Sequence, residues 1–311
     1  MLDKPFFSIV IPTFNRTDLI ERCLVRLLEQ EIPNEIQFEI LVGDDSSGVE
    51  TKQCIAEKYP SVKWIEGPRK GPAANRNNAA RHAKGVWLIF IDDDTEARPS
   101  FIKEYFQMAQ TSEYLVLEGR IICPDKRNSP FYRMPENLNG NIFASGNIAF
   151  QRSTFNKLGG FDEELEVMED LEIGHRIRTQ KIPNNFCAGA SVYHRAQRLD
   201  LGHLVWWAFH HRWSILFDYK VGAKSLNSTL PNAILHSIAK HILLLARTTW
   251  HLLTQHDPRT WKNRWFWQIW GWLSLPMTIP CLCLSEVRFR KLIINNSLSN
   301  PCSGRSYVKN N

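Results

Sequence analysis

Leu88-Ile89-Phe90-Ile91-Asp92-Asp93-Asp94-Thr95-Glu96 is the stretch on which the fold turns. An apolar run that breaks at once into three carboxylates is costly unless something cationic waits at its end. Trp87 to Ile91 reads as a short, fully buried strand preceded by the breaker Ala83-Lys84-Gly85, which suits the middle of a parallel sheet covered on both faces. In open α/β sheets, ligands bind outside the carboxyl ends of such strands. Carboxylates spaced i and i+2 leave a strand on the same side, so Asp92 and Asp94 can converge on one divalent ion. Hard oxygen ligands favour Mg²⁺ or Mn²⁺. Taken alone, the triplet also reads as a solvated turn or as the cap of a helix beginning near Pro99, so the rest of the chain has to decide.

Upstream, the same unit repeats. Phe7 to Ile11 is a strand closed by Pro12-Thr13-Phe14-Asn15, and a helix from about Thr17 to Gln30 follows, with Thr17 or Asp18 as its cap. Phe38 to Val42 is a second strand, and it too runs into acids, Gly43-Asp44-Asp45-Ser46. Strand and helix then alternate through Val62 to Ile65, Ala73 to Ala83 and the pivot strand. The connections are too long for hairpins, which predicts βαβ units and a mainly parallel, Rossmann-like sheet with helices on both faces. Downstream, Leu115 to Ile122, Phe143 to Phe150 and Ser191 to His194 read as strands and Glu169 to Thr179 as a helix. Cys123 to Gly140 is polar and rich in Pro and Asn, the composition of a mobile loop.

Composition divides the chain. Residues 1–201 carry 25 Lys+Arg against 29 Asp+Glu, whereas residues 202–311 carry 13 against 3, net +10, and nine of the eleven Trp follow residue 205. A boundary near Asp200 follows, giving an α/β domain over 1–200 and a basic, mostly helical region over 201–311. The seven cysteines are scattered without CxxC spacing, which fits reduced thiols and a cytoplasmic chain. No signal-peptide pattern precedes the first strand.

Three strand-end signals agree: Pro12-Thr13-Phe14-Asn15-Arg16, Gly43-Asp44-Asp45-Ser46 and Asp92-Asp93-Asp94. Together they resemble the nucleotide-sugar site of glycosyltransferase family 2, whose fold is GT-A, over about residues 5–200. The resemblance continues through Gly71-Pro72-Ala73-Ala74-Asn75-Arg76-Asn77, with Asn75 where alanine is usual, and through Gly146-Asn147, Gly159-Gly160-Phe161-Asp162 and Glu169-Asp170. It implies a nucleotide-sugar donor held by Pro12, Thr13, Asn15, Asp44, Arg76, Asp92, Asp93 and Asn147. Asp44 would accept the N3–H of uracil, Arg76 would meet phosphate or ribose oxygens, and Asp94 would hold the metal with Asp92. His194 is a further candidate ligand. Asp170 would be the base that deprotonates a saccharide or lipid-linked acceptor in one inverting displacement.

Rival functions fit less of the sequence. A nucleotidyltransferase or a dinucleotide-binding dehydrogenase would carry a glycine-rich loop after the first strand, and Pro12 to Arg16 is not one. A protein built only to bind membrane or nucleic acid through its basic second part leaves the ordered acids of the first part unused, so no nucleic-acid partner is expected. A membrane surface is expected instead. Phe266 to Leu284 is 19 residues without a charge, flanked by Lys262, Arg264, Arg288, Arg290 and Lys291. That barely reaches the roughly 20 residues of a spanning helix, which leaves a span, a re-entrant segment, a surface-lying helix or ordinary packing open. His236 to Leu253 is a second apolar stretch of amphipathic character.

Overall fold

The computed structural model describes residues 4–32, 36–111, 113–125, 132–133, 135–199, 202, 212–224, 228–254 and 268–299. The chain divides into two compact units, one comprising residues 1–125 with 134–195, the other 126–133 with 196–311. The second unit thus takes a short piece of the Cys123 to Gly140 loop as well as the carboxyl-terminal region.

In the first unit the chain alternates as the sequence pattern requires. The elements are β1 (Phe7–Thr13), α1 (Thr17–Leu28), β2 (Phe38–Asp44), α2 (Glu50–Lys58), β3 (Val62–Glu66), α3 (Pro72–Arg81) and β4 (Trp87–Ile91). They continue through β5 (Thr95–Ala97), α4 (Phe101–Ala109), β6 (Val116–Ile122), β8 (Asn147–Gln151), α5 (Arg152–Leu158), α6 (Glu169–Thr179) and β9 (Asn184–His194). The eight strands form one sheet in the order β3-β2-β1-β4-β8-β6-β9-β5. Strands β3, β2, β1 and β4 are parallel, β8 enters antiparallel between β4 and β6, and β9 runs parallel to β6. Every residue of β4 is buried, as its unbroken apolar run demands, and each large side chain there contributes roughly 1.5–3 kcal/mol over an exposed position. On α1, Ile20, Cys23, Leu24 and Leu27 face the core at helical spacing. Its cap differs from expectation: Arg16 holds that position without a side-chain bond, because the Thr17 hydroxyl pairs with that of Thr51, 2.9 Å away.

One feature of the topology positions the site. Only three residues separate the end of β4 from the start of β5, yet β5 lies at the far edge of the sheet, hydrogen-bonded to β9. Only a curled sheet brings that edge back to the end of β4. Asp92-Asp93-Asp94 is therefore the tie between two parts of one sheet rather than a strand simply running out. The described part of the Cys123 to Gly140 loop is anchored: Asn137 is buried and exchanges both backbone bonds with Ile121. The Glu118 carboxylate, buried on β6, accepts the amides of Asn141, Ile142 and Phe143 just beyond it.

In the second unit, β7 (Tyr132–Arg133) pairs antiparallel with β10 (Gln197–Arg198), and the long helices among the described residues are α7 (Arg212–Lys220), α8 (Leu230–Thr254) and α9 (Leu275–Ser299). Helix α9 packs on both others, with Trp213 of α7 against Phe289 at a ring separation of 5.5 Å. Phe266, Trp267 and the basic residues Lys262 and Arg264 lie outside the described residues. The remainder of the Phe266 to Leu284 stretch is interrupted, since the helix over 268–273 meets a turn at Ser274 before α9 begins. Among the described residues no helix is long and apolar enough to cross a membrane.

Candidate active site

The turn between β4 and β5 gathers the acids. Asp92 closes it with its carbonyl, which accepts from both the backbone N–H and the hydroxyl of Thr95, at 3.2 and 2.7 Å. Asp92 and Asp94 thus converge through a turn and not through the pleat of a strand. Strand register supplies the third member, because Thr95 pairs with His194 across β5 and β9. His194 Nε2 lies 3.2 Å from Asp94 Oδ1 and 4.0 Å from Asp92 Oδ2. One ligand atom from each of the three fits within a 4.8 Å span.

The donor set suits a divalent cation. His194 Nδ1 is 3.0 Å from the carbonyl oxygen of Arg195, and a carbonyl can only accept, so Nδ1 is the donor of that bond and Nε2 is the ring nitrogen turned toward the two aspartates, where a metal ligand belongs. Two carboxylates and one imidazole match Mg²⁺ or Mn²⁺. Both Asp94 and His194 are buried, while Asp92 is partly open to solvent.

A second layer of charge surrounds the cluster. Arg76, on the buried face of α3, donates Nη2 to Asp92 Oδ1 at 2.6 Å and Nη1 to Glu169 Oε1 at 3.1 Å. Its guanidinium bridges the metal-ligand turn and the first residue of α6, so its fork is engaged by carboxylates where the sequence suggested phosphate or ribose. Burial pushes the Glu169 carboxyl up to about 7, against the pull of Arg76. Asp170, half-buried beside it, is also raised by burial, with the amide of Leu171 as the main opposing influence. A carboxylate held above its ordinary range is better matched to taking a proton near neutral pH. Two neighbouring motif residues act as braces. Asn77 pairs with both backbone groups of Phe161, at 2.8 and 2.9 Å, and Arg176 bonds Glu172 together with the carbonyls of Leu158 and Gly160. They fix the Gly159-Gly160-Phe161 turn against α3 and α6.

The other donor-site candidates lie at the ends of β1 and β2, where Pro12 pairs with Gly43 and Thr13 with Asp44. The Thr13 hydroxyl donates to Asp93 Oδ2 at 2.7 Å, and Arg16 approaches Asp93 at 3.3 Å. Burial pushes the Asp93 carboxyl up to about 6. Asp44 is buried and accepts from the amide of Ser46 at 3.0 Å and from the indole N–H of Trp64 at 2.9 Å. Asn15 is exposed, sits at a positive φ of 53° and donates its backbone N–H to the Ser46 hydroxyl.

Asn147 stands apart from the acidic cluster. It is wholly buried, accepts from the Tyr105 hydroxyl at 2.7 Å and donates to the carbonyls of Arg120 and Ala190. Its amide joins β8 to β6 and the bulge of β9. Three residues of the site were missed: Trp64, which orients Asp44; Arg16, which faces Asp93; and Glu169 as the partner of Arg76. Glu169 carried a signal in its place beside Asp170 and Arg16 in its place at the end of the first strand-end motif, whereas Trp64 carried none.

The profile of "Glycosyl transferase family 2" matches residues 8–168, just over half of the chain. The chain belongs to glycosyltransferase family 2. Among curated family relatives, it is 29% identical over 210 residues to the O-antigen biosynthesis protein RfbC of Myxococcus xanthus, covering 57% of this chain and 16% of that protein. It is 32% identical over 128 residues to the poly(ribitol-phosphate) beta-glucosyltransferase of Bacillus spizizenii, covering 40% and 20%. With the GalNAc(5)-diNAcBac-PP-undecaprenol beta-1,3-glucosyltransferase of Campylobacter jejuni it shares 31% over 110 residues, covering 34% and 35%. The chain therefore spans about a third or less of the length of these relatives. In fold, the family member is similar to residues 1–349 of S. aureus TarS, with a TM-score of 0.57, 18% identity and coverage of 95% and 91%. It is also similar to the mannosyltransferase PcManGT of Pyrobaculum calidifontis, whose structure holds GDP-Man and Mn²⁺, at a TM-score of 0.55, 16% identity and coverage of 96% and 88%. The GT-A fold expected from the strand-end motifs is the fold observed.

Proposed function

We propose that the first unit transfers a sugar from a nucleoside diphosphate, with uridine diphosphate favoured, to a hydroxyl of a saccharide or lipid-linked acceptor, with inversion. The observation that carries this reading is the convergence of Asp92, Asp94 and His194 at the end of β4. Asp92, Asp94 and His194 would hold a divalent ion, and the chemistry such an ion would supply there is stabilisation of the negative charge on the departing nucleoside diphosphate. Asp92 keeps its aim through Arg76, whose buried cation offsets the acids packed around it. Each Asp44 oxygen accepts one bond from the protein and has capacity for another, which favours the N3–H of uracil and disfavours a base presenting an acceptor there. Asp170 takes the proton of the acceptor hydroxyl, and the hydroxyl oxygen attacks the anomeric carbon on the face opposite the leaving group. Inversion fits the beta-linked products named for two relatives, since α-linked donors give β products in a single displacement.

The reaction serves polysaccharide or glycolipid synthesis, as the names of the relatives indicate, and takes place at the inner face of a membrane held by the second unit. The test is a panel of nucleotide sugars with Mn²⁺ or Mg²⁺, scored for slow donor hydrolysis without acceptor. Hydrolysis of a uridine diphosphate sugar that stops on chelation supports the reading; equal donor affinity by calorimetry with Mn²⁺ and with chelator would overturn it.

A further inference from the structure

Between the helices of the second unit, buried apolar residues such as Trp213, Leu216, Leu282 and Phe289 share the interior with an unusually large set of buried polar ones, while large apolar side chains stay outside. On α8 the buried stripe runs Ala233, Ser237, His241, Leu245, one residue every turn. On α9 and the turn before it the buried positions include Ser274, Thr278, Ser285 and Glu286, the last fully buried. These groups bond one another: Glu286 accepts from Lys224, Tyr219 and Ser237, and Gln268 spans to the Leu245 carbonyl and the Thr249 hydroxyl, both at 2.7 Å. Large apolar side chains point the other way. Leu243 is 67% exposed, Trp250 68%, Leu273 68% and Leu284 73%.

The exposed residues are not scattered. Leu235, Ile242, Leu243 and Trp250 fall on one face of α8, and Leu273, Met277 and Leu284 fall on one face spaced by turns of a helix. In water this arrangement is costly on two counts, because the apolar stripes stay wet while charged and polar groups are withdrawn into a mixed interior. In hydrocarbon it is the stable order, with small and polar residues at helix contacts and apolar ones facing the acyl chains. The α9 stripe runs on into Arg288 and Lys291, both exposed, where long basic side chains can reach lipid headgroups.

We propose that α8 and α9 sit in the acyl region of one leaflet of an anionic membrane, apolar stripes outward and the Lys224–Glu286 network inward. This deepens the membrane reading above and rests on it. Charge selects lipid over a second copy of the chain as the occupant. Residues 202–311 carry net +10, and two of their three acids, Asp218 and Glu286, are already paired with Lys240 and Lys224. Two such surfaces repel, whereas an anionic headgroup layer attracts both. With no described helix able to cross a bilayer, the pair enters and stays on one side.

The full chain is mixed with vesicles of phosphatidylglycerol and phosphatidylethanolamine, then washed with high salt and with alkaline carbonate. Retention through both washes is expected, together with quenching of tryptophan emission by brominated acyl chains that Trp250→Phe reduces. The triple variant Leu243→Glu, Leu273→Glu, Leu284→Glu should lose vesicle partition by about 10³-fold while donor hydrolysis persists, showing that it is folded. Release of the native chain by salt alone would overturn insertion and leave a charge-held membrane protein. Absence of binding to any vesicle would overturn insertion and the membrane reading together. A lipid-independent dimer broken by the triple variant would make a second copy the occupant and overturn the proposal.

Discussion

The two units solve burial in opposite senses. In the first, β1 and β4 are buried along their whole length by apolar side chains, and charge is concentrated where the sheet curls and β4 meets β5. In the second, a fully buried glutamate, a buried lysine and several hydroxyls and amides lie between the helices beside apolar residues such as Trp213 and Leu282, while Leu243, Trp250, Leu273 and Leu284 face outward. An interior is defined by the medium outside it. The first unit buries polar groups at its site, as at Arg76 and Glu169, and as braces between strand and loop, as at Glu118 and Asn137, within an apolar majority. A lipid-facing one has no apolar driving force between its helices and uses polar contacts to hold them. The units should therefore respond separately to substitution, and each expected effect below tests that separation.

The largest effect is expected at Asp94. Asp94→Ala removes one of three converging ligand atoms, and metal-stimulated donor hydrolysis should fall by about 10³–10⁴-fold, equivalent to several kcal/mol of lost charge stabilisation. Vesicle partition should not change; a parallel fall in both would show that the units are not energetically independent. Next comes Asp170→Asn. Transfer should drop about 10²–10⁴-fold with donor affinity intact by calorimetry, and product analysis should give inverted anomeric configuration in the residual turnover. Collapse of donor affinity would move Asp170 from the base role to support of the metal cluster.

Much of the first unit was legible because its signals are local. The unbroken run Trp87 to Ile91 gave both ends of β4, and the apolar spacing after Thr17 gave the buried face of α1. Strand β5 was not legible: three residues are too few to show alternation, and its partner β9 lies about a hundred residues away. The position of His194 depends on that pairing, so its nearness to Asp94 was a suggestion that only register could decide. The bracing bonds of Asn147 were hidden for a related reason. Its motif follows a glycine as a loop ligand would, but the side chain turns inward to Tyr105. In the second unit the composition gave charge and aromatic content, yet not polarity of packing. A helix with one apolar and one polar stripe has the same period whichever stripe faces inward.

A smaller effect, about 3–5 kcal/mol, is expected where the second unit hides its charge. Lys224→Met leaves Glu286 buried without its cation, and proteolysis in detergent should open residues of the second unit while donor hydrolysis by the first continues. Adding Glu286→Leu should recover most of the loss, because replacing both members of a buried pair by apolar groups is often nearly neutral. If the double variant is no better than the single, the lysine acts through its bonds to Ser237 and the Ala233 carbonyl and the pair is not the organising contact.

The smallest expected effect draws the contrast most finely. Ile89→Val and Leu243→Val each shorten an aliphatic side chain by one methylene, one on a fully buried strand and one on an exposed helix face. In the sheet the missing group leaves space that close-packed neighbours cannot refill, so chemical unfolding in detergent should show a loss of about 0.5–1.5 kcal/mol. Leu243 is 67% exposed, and stability should stay within about 0.5 kcal/mol. Vesicle partition should reverse the ranking: unchanged for Ile89→Val, and weakened about fourfold for Leu243→Val, the transfer free energy of one methylene. A stability loss at Leu243 matching that at Ile89 would mean that its outward face is covered by the protein itself and that both interiors follow one rule.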